Sequence, residues 1–173
     1  MQDAITNVLN QYDTRGRYID SIGTKKLNEY FKSGMIRINI ANFINKETAN
    51  IIKEASERLF LEQPELLRPC GNALIGNAYT TRRYAACLRD IEYYLRYSSY
   101  AIVAGDTKIL DERVLDGLKD TYNSLLVPIG PTIRVIDILS IIIKEKFTTN
   151  EEEEIIASQP FNYLIDNLSD KSV

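Results

Sequence analysis

Apolar residues recur three and four positions apart along nearly the whole chain, and no segment sustains the apolar-polar alternation of a half-buried strand. That periodicity restricts the chain to an all-α fold, since a helix presents one continuous apolar stripe only at this spacing. Ala4, Ile5, Val8 and Leu9 outline a short amphipathic first helix that Gly16 ends. Thr24 is the expected cap of a second helix bearing Leu27, Tyr30 and Phe31. Gly34 interrupts that helix or is tolerated within it, and Asn45 and Thr48 suggest a further boundary. The longest helix is expected from Thr80 or Thr81 to about Ala104, closed by Gly105. Asp111 starts the next helix, Ile133 to Ile143 reads as a buried one, and Pro160 precedes the last. Glu151–Glu154 suits a solvated helix start, where carboxylates meet the positive end of the dipole. With 173 residues and no internal boundary, a single domain is expected over 1–173. The first helix is a candidate docking arm for another chain, or packs on its own core.

Composition closes off much chemistry. The chain has 0 His and 2 Cys, so it holds no Ser-His-Asp triad, no Cys-His nucleophile pair and no imidazole ligand for a metal. Two thiols cannot complete an all-thiolate zinc site or an iron–sulfur cluster. No catalytic residue and no metal ligand is therefore assigned. A net charge of -3 gives no bulk signal for nucleic acid. No apolar run is long enough to span a bilayer, and the first residues lack a secretory pattern. Two cysteines are no disulfide framework, which suits a reducing interior, although a Cys70–Cys87 bridge stays open.

Residues 77–97, NAYTTRRYAACLRDIEYYLRY, are the one dense constellation. On a helix Arg83, Cys87, Asp90 and Tyr94 line one stripe, with Arg82 beside it and Arg89 about 200° round from Cys87. A thiol among guanidinium groups is expected to have a lowered pKa. Arginines suit carboxylates, Asp90 can accept from N–H groups, and Ala85 and Ala86 leave room against the helix. Together they describe a covalent cradle for a large flat ligand with acidic tails and internal N–H donors, which an open-chain tetrapyrrole fits. The same residues also admit a plain reading: Cys87 as a small core residue, with the arginines in ion pairs along the helix. A phosphatase loop is excluded because Tyr93 stands where its arginine would be.

The run GNAYTTRRYAACLRDIEYYLRYSSYAIVAGD, then ILDERVLDGLKDTYNSL and VPIGPT, resembles the phycobiliproteins, and among them the beta-type subunits of allophycocyanin. The resemblance extends from MQDAIT onward, and EQPELLRP and QPFNYLIDNLSD resemble a variant core type within that branch. It implies a globin-like phycobiliprotein fold with two extra N-terminal helices, about residues 1–34, used for docking. It implies one phycocyanobilin joined by thioether to Cys87, the cysteine of AACLRD. Asp90, Arg82, Arg83, Arg89, Asn77 and Tyr122 match chromophore-binding positions. Asn77 also matches the asparagine that is N4-methylated, with Asn72 as the weaker alternative. Asp13 and Arg96 match charges at the subunit interface.

The implied role is light harvesting in a phycobilisome core, of terminal-emitter type, without enzymatic turnover. The implied partners are an allophycocyanin alpha-type subunit, in an alpha-beta heterodimer and three-fold ring, and core linker polypeptides. No nucleic acid partner is implied. Membrane contact is expected only peripherally, on the stromal or cytoplasmic face of the thylakoid. Three departures stand out. Ala73–Gly76 look inserted, Cys70 replaces a usual glycine, and Leu126 replaces another before VPIGP. No cysteine follows Cys87, which favours the single-bilin type. A colourless helical interaction subunit, or a thiol redox protein using Cys70 and Cys87, are the competing readings.

Overall fold

The computed structural model describes residues 2–69 and 77–169. Among them every regular element is helical, as the periodicity requires. Two helices, α1 (Ala4–Asp13) and α2 (Ser21–Lys32), precede the long α3 (Gly34–Glu62). A 3₁₀ turn at Pro64–Leu67 leads toward α4 (Thr81–Ala104). Next come α5 (Lys108–Leu110), which runs on into a π-helical stretch at Asp111–Leu115, and α6 (Leu118–Leu125). The chain ends in α7 (Ile129–Phe147) and α8 (Glu151–Ser169). This is the all-α arrangement, with two helices ahead of the bundle, that the sequence resemblance implies.

The core forms where α3 packs on α4 and α7, and α7 on α8. Ile40, Ile44, Ile51, Ala55 and Leu59 supply one stripe from α3, and Ile91, Leu95 and Ile102 another from α4. Helix α7 is buried on most of its circumference through Val135, Ile136, Ile138, Leu139, Ile142 and Ile143. Phe161 and Leu164 of α8 are fully enclosed. Burying side chains of this size contributes about 1.5–3 kcal/mol each, so these four helices carry the stability. On the outer seam, Arg134 of α7 forks onto Glu62 of α3 with two contacts of 2.7 Å. Arg58 reaches Glu54 and Glu145 at 2.7 Å each. These pairs are largely wet and orient the helices more than they stabilise them.

Several boundaries differ from the sequence expectation, each for a local reason. The cap of α2 is Asp20, not Thr24: its carboxylate accepts from the backbone N–H of Ile22 and Gly23 at 2.9 and 3.0 Å. Helix α3 runs through Asn45 and Thr48 unbroken, its Ile44, Ile51 and Ala55 locked in the core, and the Thr48 hydroxyl donates to the Ile44 carbonyl of the same helix at 2.6 Å. At 29 residues, α3 and not the 24-residue α4 is the longest element. The helix expected from Asp111 is divided by Gly117, which sits at φ 71°. Pro160 lies inside α8 rather than before it, buried and at the cost of one backbone hydrogen bond. Asn150 and Glu153 set the real start of α8: the Asn150 side chain accepts from the Glu153 N–H, and Glu153 accepts from Thr149.

The N-terminal pair is held to the bundle through the end of α4. Gly105 closes α4 in the left-handed conformation, φ 64°. The Val103 carbonyl accepts from the Tyr30 hydroxyl of α2 at 3.1 Å, and the neighbouring Ile102 carbonyl accepts from the Arg37 guanidinium of α3 at 2.9 Å. Asn7 of α1 also donates to Asp106 at 2.7 Å. A side chain at Gly105 would lie 2.6 Å from the Tyr30 ring. Gly105→Ala should therefore cost about 1–2 kcal/mol from the left-handed backbone alone. Displacement of Tyr30 adds to that. Urea denaturation measures the loss, and a wild-type midpoint would refute this account of the corner.

Candidate functional site

A cavity of about 470 Å³ opens beside α4, within the range of small-molecule sites. Thr80 places the first turn of α4, its hydroxyl accepting from the Arg83 N–H at 3.3 Å. From there the helix presents Arg82, Arg83, Cys87, Arg89, Asp90 and Tyr94 to the cavity. Tyr122 of α6 closes one end, and Leu59, Phe60 and Leu66 form an apolar wall. Val127, Pro128, Thr132 and Val135 line the side toward α7. Tyr84 stacks on Phe60, ring centres 5.4 Å apart.

Six of the seven residues expected at a chromophore meet here: Cys87, Asp90, Arg82, Arg83, Arg89 and Tyr122. Arg89, placed less favourably by the helical angle, still lines the cavity. Asn77 does not. Its side chain is buried and donates to the Glu65 and Arg68 carbonyls at 3.2 and 3.4 Å, fastening the loop. Its neighbour Ala78 lines the cavity. Asp13 is the exposed last residue of α1. Arg96 lies further along α4, with its guanidinium 4.7 Å from the Tyr93 ring centre and 5.5 Å from that of Tyr97. Cys70, Asn72 and Ala73–Gly76 lie outside the described residues.

Asp90 anchors the floor. Its Oδ2 accepts from the Tyr122 hydroxyl at 2.9 Å, and its Oδ1 lies 3.4 Å from the Arg89 guanidinium. The Tyr122 hydroxyl also lies 2.5 Å from that of Tyr94. Tyr94 was legible in the sequence only as a stripe residue. No spacing rule could reveal this contact, because α6 reaches it from 28 positions away.

The thiol behaves opposite to the sequence expectation. Burial, and then the Asp90 carboxylate, push the Cys87 thiol up from 9.0 to about 11. The arginines do not offset this: Arg82 and Arg89 are exposed at the rim, where solvent screens them. Leu126 stands where the sequence resemblance has glycine, and it keeps the glycine-like backbone at φ 55°. Its N–H and that of Val127 turn back to the Asn123 and Tyr122 carbonyls, so the turn survives the substitution under strain.

Among known proteins, the model of the family "Phycobilisome protein" matches residues 7–168. The chain belongs to the phycobilisome protein family. It is similar to the allophycocyanin subunit beta-18 of Porphyra purpurea, 56% identical over 174 residues that cover 100% of both chains. It is similar also to the subunit of that name in Synechocystis, at 50% identity over 175 residues and again 100% of both chains. A phycobiliprotein beta chain of Mastigocladus laminosus is 50% identical over 174 residues with the same full coverage. Among the described residues no helix is long and apolar enough to cross a membrane.

A rise from 9.0 to about 11 leaves roughly 100-fold less thiolate near neutral pH. In pigment-free Cys70→Ser protein, alkylation of Cys87 should be about that much slower folded than in urea. The rate should climb as pH rises toward 11. Asp90→Asn should speed it. Equal rates in the folded and unfolded chain would contradict the burial argument.

Proposed function

We propose that this chain is a non-catalytic light-harvesting subunit of the phycobilisome core, carrying one phycocyanobilin in thioether linkage to Cys87. One observation carries the reading: a single cavity gathers the thiol, the Asp90 carboxylate braced by Tyr122, and three arginines. The donor set suits an open-chain tetrapyrrole. Cys87 offers the attachment atom from α4, in a cavity with an apolar wall of Leu59, Phe60 and Leu66. Asp90 offers a carboxylate oxygen to inward-facing N–H groups. Arg82, Arg83 and Arg89 offer forked donors to carboxylate tails. When bound, the pigment supplies the visible absorption and the excited state. The protein supplies stiffness, because an apolar slot with fixed polar contacts suppresses the twisting that wastes excitation.

The relatives' names support the finer reading. An allophycocyanin beta-type chain pairs with an allophycocyanin alpha-type subunit, and such heterodimers close into a three-fold ring joined by core linker polypeptides. α1 and α2, about residues 1–34, are the docking helices of that heterodimer, with Asp13 and Arg96 as interface charges. Exposed Tyr18, Ile22, Phe31 and Met35 support this, since a lone chain gains nothing from leaving them wet. Excitation passes toward the photosystems from a terminal-emitter position. The assembly sits peripherally on the stromal or cytoplasmic face of the thylakoid. Asn77 is the N4-methylated asparagine; the methyl replaces one of its two amide hydrogens, leaving one N–H to donate to the Glu65 or Arg68 carbonyl.

A zinc-stained denaturing gel with mass analysis of the Cys87 peptide tests the reading. The native protein should show covalent bilin on that peptide, and Cys87→Ala should show none. Covalent pigment persisting in Cys87→Ala would refute the site. A colourless native protein would favour a helical interaction subunit instead. Asp90→Asn should retain the pigment with a blue-shifted, dimmer band, and an unchanged spectrum would count against the role of Asp90.

A further inference from the structure

Tyr94 carries a hydroxyl at the cavity floor that nothing above employs. It is only 3% exposed, and Tyr122 only 7%. The Tyr122 hydroxyl has one proton. Since it donates that proton to Asp90 at 2.9 Å, it can only accept at the 2.5 Å contact with Tyr94. The direction of the chain is then set: Tyr94 donates to Tyr122, and Tyr122 donates to Asp90. We infer that Tyr94 is a positioning residue for the bilin site, acting through Tyr122 to hold the Asp90 carboxylate in the orientation that faces the pigment. This inference rests on the bilin-binding reading above.

The physical reason is cooperative. A phenol that accepts a hydrogen bond becomes a stronger donor, and the effect is largest away from water. Burial pushes both phenols up from their ordinary value, so both protons stay in place at neutral pH. The Asp90 Oδ2 is thereby occupied by a rigid ring on α6, and among the described residues Oδ1 meets the exposed Arg89 at 3.4 Å. One carboxylate oxygen is fixed and the other is left to serve the cavity. Without Tyr94, Tyr122 can rotate its hydroxyl away, and the carboxylate gains a rotamer.

Four pigmented proteins test the inference: native, Tyr94→Phe, Tyr122→Phe and the double variant. Phenylalanine keeps the ring, and far-UV circular dichroism verifies the fold. Tyr94→Phe should retain covalent pigment, with a blue-shifted band and a loss of fluorescence yield. The same change should add little in the Tyr122→Phe background, because the path to Asp90 is already cut. An unchanged band in Tyr94→Phe, or an equal shift in both backgrounds, overturns the inference. A second readout needs no pigment. In the pigment-free chain with ¹³C-labelled tyrosine, the Tyr122 hydroxyl proton should exchange slowly, and Tyr94→Phe should accelerate it. Unaltered exchange also overturns the relay. A colourless native protein removes the bilin reading and the spectral role with it, while the exchange measurement decides the relay alone.

Discussion

Helix α4 must meet two demands with one register. Ile91, Leu95 and Ile102 lock one stripe into the core against α3. About 40–100° round the helix, the adjacent stripe carries Cys87, Asp90 and Tyr94. A close-packed interior leaves the first stripe no freedom to rotate, so the second stripe inherits its placement. Site precision here is a by-product of core packing. Thr80 at one end and Gly105 at the other mark how much helix is held this way.

The same burial that positions the site governs its electrostatics. Cys87 is enclosed enough that its thiol stays neutral, and the Asp90 carboxylate pushes in the same direction as burial. Arg82 and Arg89 stand exposed at the rim, well placed for ligand carboxylates and poorly placed to activate sulfur. Asp90 remains affordable in this setting because Tyr122 satisfies one of its oxygens. The cavity thus runs from buried hydroxyls through a half-buried carboxylate to a cationic rim, a polarity that matches a flat molecule with central N–H groups and peripheral acids.

At the other end of α4, the unpaired carbonyls of a helix terminus become an attachment point. Arg37 and Tyr30 cap them, and Gly105 gives way to the Tyr30 ring. The N-terminal helices are tied to the bundle by Tyr30 on the Val103 carbonyl and Asn7 on Asp106, while apolar residues such as Ile22 and Phe31 are exposed. That inversion is what a second chain needs, and it is hard to rationalise for a chain that works alone.

Much of the fold was legible in the residues alone, because local spacing carries it. The 3.6-residue periodicity specified helices, Gly105 their limit, and the stripe Arg83, Cys87, Asp90 a shared face. Absence of histidine removed whole classes of chemistry with no structure required. Boundaries were less legible where a side chain chose between two local partners, as Thr48 bonding within α3 and Asp20 capping α2 in place of Thr24. Three matters were decided only in three dimensions. Asn77 reached back to donate to the Glu65 and Arg68 carbonyls. The Cys87 thiol rose instead of falling, because desolvation depends on every element packed over it. Tyr94 met Tyr122, because α6 folds back across the end of the cavity. Periodicity is a property of neighbours in the chain; burial and hydrogen-bond direction are properties of neighbours in space.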